Sequence, residues 1–178
     1  ETDPMPKIIE QPRERILAAA RSKLFEDGYA GLSLRGIAGE CGIAVGTIYN
    51  YFQDKDTLVA SGMMEDWLRA LDEMKAGCDA AETASDGFAA VYGAIRKFEK
   101  LYESVWDQFF RAGGSPDVVS SRHGMLRGQI ARQLEELLER LGKEDAALAP
   151  LLAETVLSAA MQPDIGPEQI RALAARLL

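Results

Sequence analysis

Two groups of side chains in this sequence have the types and spacing for molecular recognition. The first is Val45, Gly46, Thr47, Tyr49, Asn50 and Tyr51, with Ser33 and Arg35 before it and Lys55 after it. Small, hydroxylated and amide groups at the start of a short helix can aim N–H and O–H donors at phosphate oxygens. The Asn50 amide can pair an adenine edge in two places. Gly46 removes a side chain where another backbone could come close. Arg35 and Lys55 supply positive charge, and Lys55 falls in the first turn of the next helix, where it can meet a phosphate. Each residue also has a plainer reading. Tyr49 and Tyr51 could pack the fold, and Arg35 and Lys55 could be solvated surface charges.

The second group is aromatic. Seven of the 13 aromatic residues (2 Trp, 5 Tyr, 6 Phe) lie between Phe88 and Phe110. Phe88, Tyr92, Ile95, Tyr102, Trp106 and Phe109 share one helix face, which the Glu99 carboxylate interrupts. A mostly apolar cavity with few polar groups has the form of a small-molecule site. A carboxylate beside Trp and Tyr would select a cation. Met63, Met64 and Trp67 could line the same cavity, and His123 could hydrogen-bond a ligand. The competing reading makes the stripe plain core, with Glu99 leaning into solvent.

Catalysis finds little support. His123 is the single histidine, and the chain shows no nucleophile motif and no Gly-rich phosphate loop. No catalytic residue, metal or cofactor is expected. Cys41 and Cys78 are far apart and form no CxxC pair. Cys41 reads as a small core residue, and Cys78 as an idle exposed thiol. The lack of a disulfide framework suits a reducing cytoplasm. No apolar run approaches ~18 residues, so no membrane helix is expected, and no signal peptide is visible.

The elements that must position these groups are all helical. Helical periodicity runs through almost everything after Pro12, and no stretch keeps strand alternation. A first helix spans Pro12 to Asp27 and stops at Gly28. Ser33 caps a second helix that ends at Gly42. A third carries Val45, Ile48, Tyr49 and Phe52. Asp54 caps a fourth, and Gly77 opens a linker running to about Ser85. Longer helices then cover Ser85 to Arg111, ended by Gly113 to Pro116, and Asp117 to Leu141, ended by Gly142. Two shorter ones follow, at Pro150 to Met161 and Glu168 to Leu177.

The expected organisation is a flexible arm over residues 1–11, a helix-turn-helix domain over 12–54, and a helical body over 55–178. The body begins with a connecting helix at about 55–76. Two short helices around the Gly42 turn have helix-turn-helix form. Leu34, Ile37, Ala38, Ile43, Ile48 and Phe52 supply its packing. In the last two helices, Leu152, Val156, Ala159, Ala160, Leu173 and Leu177 could form a flat self-complementary face.

From about Arg13 to Val59 the sequence resembles the TetR (tetracycline-repressor-like) family of bacterial transcriptional regulators. The resemblance rests on ILAAARSKLFEDGY, LRGIAGECGI and above all GTIYNYFQDKDTL. It implies an all-α fold, with a three-helix DNA-binding head and a C-terminal ligand-binding and dimerisation body. It also implies DNA contacts from Ser33, Arg35, Thr47, Tyr49, Asn50 and Lys55. The implied partners are a double-stranded DNA operator, a second copy of the chain, and a small apolar or amphipathic effector. The chain departs from the family at Ala44, where Ser or Thr is common, and at Val45, where a polar residue is common. The alternative function is a helical interaction module, or a regulator without a small-molecule ligand.

The net charge of −8 (20 Lys+Arg, 28 Asp+Glu) is unusual for a DNA binder. Residues 61–178 carry 13 basic and 19 acidic residues, or −6. Between Pro12 and Lys55 the count is 6 basic to 5 acidic, or +1. Acidity therefore sits mostly in the body, and the head has a thin electrostatic footprint.

Overall fold

The structure, a computed structural model, describes residues 11–111 and 116–178; for residues 109, 110, 116–122 and 145 it describes the backbone alone. The expected arm lies outside the described residues, Gln11 excepted, and so do Gly113 to Ser115. Eight α-helices and one 3-10 helix account for the described elements, with no strand among the described residues. The chain divides into two compact units, one ending at Glu65 and the other beginning at Asp66.

Local capping chemistry sets the helix ends of the first unit. α1 (Pro12–Gly31) begins with proline and is broken at Gly28, whose φ of 73° and ψ of 173° leave helical space. Such a φ is open to glycine and strained for other residues. The Ser33 Oγ accepts the Gly36 N–H at 3.1 Å and starts α2 (Leu34–Cys41). Gly42, at φ 65°, ends α2 in the left-handed region. α3 (Val45–Tyr49) is only five residues long, and Ala44 gives it no side-chain cap. Asn50 and Tyr51 therefore sit in the turn after α3, past the helix on which the sequence pattern placed them. Asp54 accepts the Thr57 N–H at 2.7 Å and starts α4 (Lys55–Ala80). Ile16, Leu17, Ala20, Leu24, Ile37, Ala38, Ile48, Phe52 and Leu58 close the core of this unit.

In the second unit, the expected linker at Gly77 is absent: α4 continues through it to Ala80, and α5 (Ala84–Arg111) follows after three residues. The reason is a close helix approach. A Cβ at Gly77 would fall 2.5 Å from the Ala90 Cβ, so glycine there lets α4 and α5 touch. Cys78 is buried as a result, not exposed. The Arg140 guanidinium donates to its carbonyl at 2.5 Å, and burial pushes its thiol up to about 11. Cys41 is buried as expected.

α6 (Pro116–Arg140) ends before Gly142, which takes φ 67°. A 3-10 helix (Glu144–Leu148) that the sequence pattern did not suggest leads into α7 (Ala149–Ala160), and α8 (Pro167–Leu177) closes the chain. α8 and α7 both pack on α5, and α6 packs on α7.

Candidate nucleic-acid interface

The head's polar and aromatic candidates divide by what the fold does with them. Tyr49 is 55% exposed and Tyr51 44% exposed, so neither packs the core. Asn50, Gly46 and Arg35 are exposed, while Val45 and Thr47 are half-buried. Ile48 faces inward from α3 and is fully buried. One buried anchor on a helix this short leaves its other faces uncovered. Gly46 has nothing within 4 Å of a built Cβ, so the fold does not require its small size. Ser33 is already used as a cap, its oxygen accepting from Gly36.

The basic residues are mostly committed within the head. Arg13 pairs with Glu65 at 3.0 Å and lies over the Phe52 ring. Arg15 donates to the Cys41 carbonyl, and Arg21 lies over Phe25. Lys23 lies between Asp27 and Glu40, which hold its amine above the usual range. Lys55 donates to the Tyr29 carbonyl at 3.0 Å. Among the described basic residues of Pro12–Lys55, Arg35 alone is exposed with no intramolecular ion pair, hydrogen bond or ring contact.

In the body the aromatic stripe is core from Phe88 to Tyr102, Glu99 excepted. Phe88, Tyr92 and Tyr102 are buried, as is Trp67. Their polar tips are satisfied inside the unit. Trp67 donates to Gln129 at 2.7 Å, Tyr102 to the buried Asp66 at 2.6 Å, and Tyr92 to the Ile165 carbonyl. Trp67 meets Phe98 edge-on at 5.2 Å, and Phe98 meets Tyr102 at 5.1 Å. Met63 is buried in the first unit. The side chain of Phe109 lies outside the described residues.

Of the pocket candidates, Glu99 and Trp106 do line a cleft, of about 250 Å³. Its walls are otherwise Arg96, Lys100, Glu103 and Asp107 on α5, with Met161 and Pro163 after α7. This cleft is charged and open, unlike the apolar cavity the stripe suggested. Burial pushes the Glu99 carboxyl above its ordinary range, against the pull of Arg96 and His123. His123 is occupied: its Nε2 lies 3.0 Å from Glu154, which also meets Arg127 at 3.5 Å.

The expected self-complementary face needs the same revision. Leu152, Val156, Ala159 and Ala160 are buried within the chain's own helices. Their Ala and Leu content reflects internal packing of α7. Leu173 and Leu177 on α8 are exposed, and so are Leu148 and Leu151, which the sequence pattern did not single out. Their exposure could not be read from sequence, because both lie in an apolar run whose partners are distant.

Comparison with known proteins bears on the head and the whole chain. Residues 16–61 match the family model described as bacterial regulatory proteins, tetR family. The HTH-type transcriptional regulator UidR of Escherichia coli K12 is 25% identical over 99% of this chain and 80% of its own length. A solved TetR-family transcriptional regulator from Pectobacterium atrosepticum is 26% identical, with a TM-score of 0.60 over 92% of this chain and 88% of that one. Salmonella enterica GusR, 19% identical, shares the fold at a TM-score of 0.65 over 99% of this chain and 97% of its own. Residues 16–61 therefore carry the helix-turn-helix domain of the tetR family, and the chain as a whole is similar to transcriptional regulators of that family.

Proposed function

We propose that the chain is a repressor that binds a pseudo-palindromic DNA operator as a homodimer and is released by a small molecule bound in its body. The observation that carries the DNA reading is the exposed set on and after α3: Gly46, Tyr49, Asn50 and Tyr51 face away from a core complete without them. In a helix-turn-helix, that is the surface that meets base edges in the major groove. Val45 and Thr47 flank it, and Arg35 adds a free charge from α2. With the other cations committed internally, affinity comes more from fit and hydrogen bonding than from counterion release.

Two copies would set the spacing of the two heads. The exposed Leu148, Leu151, Leu173 and Leu177 are apolar surface that a second copy could cover. The cleft on α5 supports an amphipathic effector over a purely apolar one, since Trp106 shares it with five charged side chains. An effector acts only if it binds one body conformation better than the other. The alternative, a regulator without a small-molecule ligand, is favoured by the core fate of the aromatic stripe.

A gel shift with the DNA flanking its own gene tests the first step, and repeating it with compounds that raise the melting temperature tests the second. Retarded DNA released by such a compound is the expected result. DNA that stays unretarded at low salt contradicts the DNA reading. Retarded DNA that no stabilising compound releases favours the regulator without a ligand.

A further inference from the structure

We infer that Lys55 is a positioning residue, latching the exit of α3 to the end of α1, and not a phosphate contact. Its Nζ donates to the Tyr29 carbonyl at 3.0 Å and lies 4.1 Å from the centroid of the Tyr29 ring. The next residue, Asp56, accepts the Tyr29 hydroxyl. Consecutive side chains thus grip one tyrosine at its backbone, its ring and its tip. Tyr29 follows Gly28, whose left-handed φ breaks α1 and turns the chain there. On the other side, Asp54 caps α4, and Phe52 is buried just before it. Residues 52–56 therefore form a continuous anchor that begins three residues after α3 ends. A five-residue helix with one buried side chain cannot fix its own orientation. The anchor behind it does so, and the Lys55 ammonium is spent on that task. Burial and the Asp56 bond push the Tyr29 hydroxyl up to about 12, so the grip persists across the neutral range.

This inference rests on the head binding duplex DNA, and salt dependence separates the two. Each phosphate neutralised contributes about 0.9 to the slope of log affinity against log salt. Affinity for the DNA flanking the gene is measured by fluorescence anisotropy across a salt series, for wild type, Lys55→Met and Tyr29→Leu, with circular dichroism confirming that each is folded. The latch predicts that both variants bind several-fold more weakly at every salt concentration, with the wild-type slope. It also predicts that the double variant loses less than the sum of the two single losses, since the two substitutions share the ammonium–ring contact. A phosphate contact predicts instead that Lys55→Met lowers the slope by about 1.8 per dimer while Tyr29→Leu binds as wild type. Either of those results overturns the inference, and Tyr29→Leu decides alone if Lys55→Met does not fold. Wild-type protein that fails to bind the DNA at low salt overturns the DNA reading and this inference with it.

Discussion

Tyrosine meets opposite fates around α3 and on α5. On α3 and its exit, Tyr49 and Tyr51 stand in solvent. In the body, Tyr92 and Tyr102 are buried, each hydroxyl donating to a partner inside its own unit. The difference lies in what surrounds the residue. α5 is 28 residues long and is packed by α6, α7 and α8, so one face has neighbours along most of its length. α3 has five residues and one buried anchor. Aromatic side chains that a fold leaves uncovered, beside an exposed amide and a glycine with open space, are available to a partner.

The largest effect that sharpens this contrast is on the body. Trp67→Ala removes a fully buried indole and leaves the Gln129 amide without its donor, so unfolding free energy falls by about 3–5 kcal/mol in denaturant titration. Gly77→Ala forces α4 and α5 apart and costs about 1–3 kcal/mol in the same measurement. Tyr49→Ala, by contrast, changes stability by no more than about 0.5 kcal/mol, while weakening operator binding in a gel shift. A large loss of stability in Tyr49→Ala would erase the distinction between α3 and α5.

Smaller effects come from titration. The Glu99 pKa is raised in the folded protein by burial, so the native state holds its proton more tightly than the unfolded chain does. Stability contributed by this group is lost as pH rises from the unfolded value through the folded one. Glu99→Gln therefore raises the melting temperature at pH 7 and leaves it unchanged well below the ordinary carboxylate value of 4.5. An equal shift at both pH values would mean that the charge is not what burial penalises. Least in size, Cys78 should resist a thiol reagent at pH 8 until the protein unfolds, because its thiol is buried and held near 11.

Local features were legible in the sequence because their causes are local. Ser33, Gly42 and Asp54 mark helix ends through contacts within a few residues, and each does so in the structure. Of the head's apolar set, Ile37, Ala38, Ile48 and Phe52 are buried as the helical spacing predicts, while Leu34 and Ile43 are only half-buried. Gly77 was misread because a helix breaker and a packing glycine look alike until Ala90 is known to face it. The stripe on α5 revealed a face that needs covering, but periodicity does not say whether protein or ligand covers it. The same limit hid the internal packing of Leu152, Val156, Ala159 and Ala160. Lys55 read as a free cation because its partner, Tyr29, lies 26 residues earlier in the chain.

The central claim is that the exposed side chains on and after α3 read DNA while contributing little to the fold. Asn50 tests it most directly, since it is exposed, it follows α3 at the helix end, and its amide can pair a base edge. Anisotropy titration of wild type and Asn50→Ala on the same operator, at one salt concentration and with melting curves for both, gives the answer. The account predicts an unchanged melting temperature and binding weaker by about 1–3 kcal/mol for each of the dimer's two Asn50 contacts, the discrimination of one bidentate base contact. Equal affinity for the two proteins would contradict it.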